Sequence, residues 1–124
     1  CYLQGTNVIG EPLAVLFRRE PLLAAMPWTD HNPLMLDLNT YQKVAPTGTV
    51  VTRHESLGAF RVSVSSWSTR LAKLQLQQTK QWQNAYAAQV NPTSSQKARA
   101  VVGRHLQVNL RRAAYALLKA RGAM

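Results

Sequence analysis

Apolar and polar positions alternate with two different periods along the chain, and the change of period divides it. Leu34, Leu36, Leu38 and Thr40 alternate with Met35, Asp37 and Asn39. Thr49 to Arg53 is rich in β-branched residues and comes after a Pro-Thr-Gly turn at Pro46–Gly48. Phe60, Val62 and Val64 alternate with Arg61, Ser63 and Ser65. A two-residue period predicts half-buried strands, so residues 34–65 read as a small antiparallel sheet of about three strands with one face needing cover.

Beyond Ser65 the period becomes helical. Trp67, Leu71, Leu74, Trp82 and Ala85 fall on one face of a helix from about Trp67 to Val90, with Ser65 or Ser66 as its cap. Their stripe is the only apolar face of that helix, so Trp67 and Trp82 read as core residues. Asn91-Pro92 ends the helix, because a residue before proline avoids the α region. Thr93 to Gln96 then reads as a T-x-x-Q capping box. A second helix runs from there to about Arg121, with Gly122 as a stop. The short connection predicts an antiparallel helical hairpin over 66–122.

Residues 1–33 are irregular. Glu11-Pro12 looks like a helix start, with Leu13, Leu16 and Phe17 as the apolar side. Pro21, Pro27 and the Asp30-His31-Asn32-Pro33 loop break up the remainder of this segment, leaving a short helical turn over Leu22–Met26. The segment reads as an arm that packs on a neighbouring subunit, or as a helix capping the chain's own core. The expected architecture is therefore α+β: an N-terminal arm (1–33) and one domain (34–124) made of strands 34–65 and the helical hairpin.

Charge adds what periodicity cannot. The 124 residues carry a net charge of +10. The acids are Glu11, Glu20, Asp30, Asp37 and Glu55, so from Ser56 onward no carboxylate opposes the lysines and arginines. Such a load repels itself, and a polyanion is the expected neutraliser, nucleic acid foremost. On the second helix Val102, Leu106, Leu110, Ala113 and Leu117 share one face, while Lys97, Arg104 and Arg111 recur on the opposite one. Arg112 and Lys119 lie at the edge of that basic face, and Tyr115 lies within it. If the Leu/Val stripe is buried, the basic stripe must point outward, where it can track a phosphate backbone. Tyr115 can stack on an exposed base, or simply lie along the helix. Five phosphate contacts, from Lys97, Arg104, Arg111, Arg112 and Lys119, would give log K a slope of about −3.5 to −4.5 against log salt.

Other chemistry is sparse. His31, His54 and His105 are far apart, and no H-x-x-x-H or C-x-x-C spacing exists, so a zinc site is not expected. Asp30-His31 and His54-Glu55-Ser56 are sequence neighbours, which on a strand point to opposite faces. Gly5, Gly10, Gly48 and Gly58 form no phosphate-binding fingerprint, and no cofactor is expected. The expected function is non-enzymatic: a structural protein that binds RNA or DNA within a larger ribonucleoprotein or virion. The first alternative is a subunit of a capsid, filament or secretion apparatus, using the arm and helix faces against other subunits. The second is membrane attachment, through lipid on Cys1 or through the basic helix on anionic lipid, although that helix has no Trp or Phe on its apolar face.

Overall fold

The computed structural model describes residues 1–27, 32–56, 58–59 and 70–120. They form two compact units, Asn7–Arg61 and Cys1–Thr6 with Val62–Met124.

The described residues form no sheet. Among the described residues every regular element is a helix, so the fold is all-α rather than α+β. Residues 34–40 form a 3₁₀ turn, Pro33–Met35, continued by helix α2, Leu36–Val44. A second period was present in the same residues. Met35, Leu38 and Tyr41 are three apart, and all are buried. Leu, Met, Gln and Lys favour helix over strand, and Thr40 returns its Oγ1 hydrogen bond to the Leu36 carbonyl one turn back, at 3.0 Å. Residues 49–53 form no regular element and are exposed. The Phe60–Ser65 strand lies outside the described residues.

In the Asn7–Arg61 unit, helix α1 spans Arg19–Ala24 and α2 packs beside it. Ala25, Met35, Leu38 and Tyr41 make the core. Lys43 Nζ donates to the Ala25 carbonyl (3.2 Å), and the Tyr41 hydroxyl donates to the Gly10 carbonyl (2.9 Å). Phe17 stacks on Tyr41. Pro12 does open a helical element, but only one 3₁₀ turn, Pro12–Ala14, and Leu13 and Leu16 are exposed instead of forming an apolar side.

The other unit holds the helical hairpin. A 3₁₀ turn, Ala72–Leu74, leads into α3, Gln75–Val90. Asn91 adopts the left-handed conformation (φ 47°), and its N–H closes on the Ala87 carbonyl. Helix α4, Ser94–Ala120, comes next. Its start is the expected capping box: Thr93 Oγ1 accepts from the Gln96 N–H, and Gln96 Oε1 accepts from the Thr93 N–H (3.3 and 2.8 Å). Trp82 is buried and stacks on Tyr86, which also meets Tyr2. Leu74 and Ala85, expected on the Trp82 face, are exposed. Polar residues take their place inside: Gln75, Gln78, Thr79 and Gln83 are all buried.

The 3₁₀ turn Tyr2–Gln4 lies directly on α4. Two glycines allow the approach. A Cβ on Gly103 would collide with the Leu3 carbonyl and come within 2.9 Å of Gln4 Cα. A Cβ on Gly5, itself left-handed (φ 61°), would stand 2.5 Å from Arg104 Cα.

Candidate nucleic-acid interface

The rotation of α4 decides which side chains are available. Its buried residues are Ala100, Arg104 and Val108, one helical turn apart. The inward face is therefore the one that carries the basic stripe, and the Leu/Val face points away. Val102, Leu106, Leu110 and Leu117 are 54–67% exposed, and Ala113 is exposed with them. This reverses the expected orientation. Close contact at Gly103 and the hydrogen bonds around Gln83 hold the helix in this rotation, and both involve the polar face.

Arg104 is the clearest departure from the sequence expectation. It is 7% exposed, in a unit whose sequence contains no Asp or Glu. Its Nη1 donates to Gln83 Oε1 at 2.6 Å, and Gln83 Nε2 donates to the carbonyls of Tyr2 (2.8 Å) and Ala100 (3.0 Å). Arg104 Nε is buried without a hydrogen-bond partner. This guanidinium is a structural post that joins the hairpin to the Tyr2–Gln4 turn, and no phosphate reaches it without opening the unit.

The remaining predicted site residues are accessible to different degrees. Lys97, Arg112 and Lys119 are exposed, while Arg111 and Tyr115 are half-buried. Arg111, Arg112 and Tyr115 come together around a recess of about 180 Å³, completed by Ala72, Lys73 and Gln75 from the start of α3. Lys97 and Lys119 do not line it. Nothing in the sequence pairs Lys73 with positions 111–115 until the hairpin is closed. The side chains of two arginines, one lysine and a tyrosine help to line a space large enough for a phosphate group, and most of its wall is apolar. Arginine supplies forked donors to phosphate oxygens, lysine a point charge, and the tyrosine ring a flat apolar wall.

A second recess, of about 290 Å³, lies in the other unit between Pro12, Phe17, Leu22, Asp37 and Tyr41. Burial raises the Asp37 carboxyl above its ordinary range. Burial, reinforced by the neighbouring Asp37 charge, raises the Tyr41 phenol. The Tyr41 hydroxyl is committed to the Gly10 carbonyl, and the hydroxyl of Thr40, also in the lining, donates to the Leu36 carbonyl. Glu55 is paired with Arg53 at 3.1 Å, and the Asp30-His31 pair lies outside the described residues. Among the described residues no group of His, Cys, Asp and Glu could hold a metal ion, and no helix is long and apolar enough to cross a membrane.

The chain matches no family model, no curated protein and no solved structure. Its own residues therefore carry the functional reading.

Proposed function

We propose that the protein is a non-enzymatic nucleic-acid-associated structural protein, and that it holds backbone phosphate in the recess between the start of α3 and the C-terminal half of α4. The observation that carries this reading is the convergence of Lys73, Arg111 and Arg112 on one recess in a unit without a single carboxylate side chain. Phosphate neutralises three cations that have no internal partner of opposite charge. Gln75 adds a neutral amide at the wall, and Tyr115 offers its ring to an unpaired base. Recognition of this kind depends on charge and shape, with little reading of base identity. Lys97, Arg99 and Lys119 are exposed along α4 and extend the field beyond the recess.

Fluorescence anisotropy with a single-stranded oligonucleotide, titrated with salt, tests the reading. Binding should weaken as salt rises. The triple substitution Lys73→Gln, Arg111→Gln and Arg112→Gln should reduce the log–log slope by about 2 to 3, the value for three lost phosphate contacts. Affinity that ignores salt, or a triple variant with an unchanged slope, would overturn it.

A further inference from the structure

The rotation of α4 creates a second surface, on the side of the helix away from the recess. Val102, Leu106, Leu110, Ala113 and Leu117 recur at spacings of four and three, which is the seam one helix offers to another. Among the described residues nothing covers them, and each is exposed. Burying a leucine is favourable while a single polar contact such as Arg104–Gln83 returns little net, so three leucines left outside forgo more than that contact returns. A helix that hides its arginine and shows its leucines is arranged for an external partner.

Charge selects the partner. Arg99 stands in line with the seam at its N-terminal end and Lys119 beside it at the C-terminal end, both exposed. No acidic side chain in the unit opposes them. A second copy of this chain would bring the same unopposed cations to the contact, whereas glutamates or aspartates flanking a leucine stripe would pair with them. Anionic lipid would satisfy the charge, but the stripe lacks the aromatic residues that anchor a helix at a bilayer surface.

We infer that the outward Val/Leu face of α4 is a docking site for an acidic amphipathic helix of another protein. This goes beyond the nucleic-acid reading and rests on the outward apolar face rather than on the residues that line the recess. The site takes a helix of about four to five turns, matching the Val102–Leu117 seam, with apolar side chains inward and carboxylates along its edges.

The test uses the full chain and two synthetic helical peptides with the same leucine stripe, one flanked by glutamate and the other by lysine, with binding monitored by anisotropy. The acidic peptide should bind and the basic one should bind at least tenfold more weakly. Leu106→Ser with Leu110→Ser should weaken acidic-peptide binding at least tenfold and leave the unfolding midpoint unchanged, because both positions are already exposed. Arg99→Glu with Lys119→Glu should weaken it several-fold. The Lys73/Arg111/Arg112 triple glutamine variant should retain appreciable peptide binding, which separates this site from the recess. The inference fails if the serine variant binds the acidic peptide as well as the parent, if that variant unfolds early, or if sedimentation shows the chain pairing with itself through these leucines. It fails equally if phosphatidylserine vesicles bind the face and the acidic peptide does not.

Discussion

At the scale of single residues, the hairpin unit depends on a glycine and a glutamine. Gly103 is inside a long helix, where alanine would ordinarily add up to about 1 kcal/mol of stability. Here the added methyl meets the Leu3 carbonyl and the Gln4 backbone. Gly103→Ala should therefore destabilise the chain by about 1–3 kcal/mol in urea unfolding, and the sign alone decides the point. Gln83→Ala strands the Arg104 guanidinium and the Tyr2 carbonyl together, with an expected loss on the order of 3 kcal/mol by the same measurement. Asp37 provides a pH handle on the other unit. Its carboxyl is raised by burial, so the folded state holds the proton more tightly than the unfolded chain does. Its contribution to stability is greatest in acid and is lost as pH rises from the unfolded value through the raised folded one. Subtracting the pH profile of Asp37→Asn from that of the parent should isolate a stability difference that falls across this interval. A difference that rises would contradict the assignment.

At the scale of elements, legibility depended on whether the signal was local. The α3–α4 connection was readable because the Asn91-Pro92 step and a T-x-x-Q box act within a few residues, and the Thr93–Gln96 bonds form as expected. Thr93→Ala should cost about 1 kcal/mol in the same unfolding assay, through loss of the N-cap acceptor. Residues 34–40 misled because their leucines alternate while Met35, Leu38 and Tyr41 also keep helical spacing, and residue type favoured the helix. The rotation of α4 was the larger miss. An apolar stripe normally turns inward, and the local sequence could not show that Gly103 would receive the Tyr2–Gln4 turn from about a hundred residues away, or that Gln83 would accept from Arg104. The consequence reached the site. Arg111, Arg112 and Tyr115 kept a common recess, Arg104 became structural, and Lys73 entered from the other helix.

At the scale of the molecule, a surplus of positive charge sits on a hairpin that buries glutamines, a threonine and an arginine beside Trp82, Ala100 and Val108, and whose outer seam is valine and leucine. This arrangement assigns two kinds of partner to two faces: phosphate at the recess and an acidic helix on the apolar side. Both depend on which face of α4 is inside. Thiol labelling tests that directly, with Cys1 replaced by serine and single cysteines placed at Ala100, Leu106, Val108 or Leu110, at protein concentrations low enough to avoid association. Cysteines at 106 and 110 should react at rates near those of an unfolded control, while those at 100 and 108 should be strongly protected. Protection at 106 and 110 with rapid reaction at 100 and 108 would mean that the leucines are the core, and would remove the docking face and the recess together.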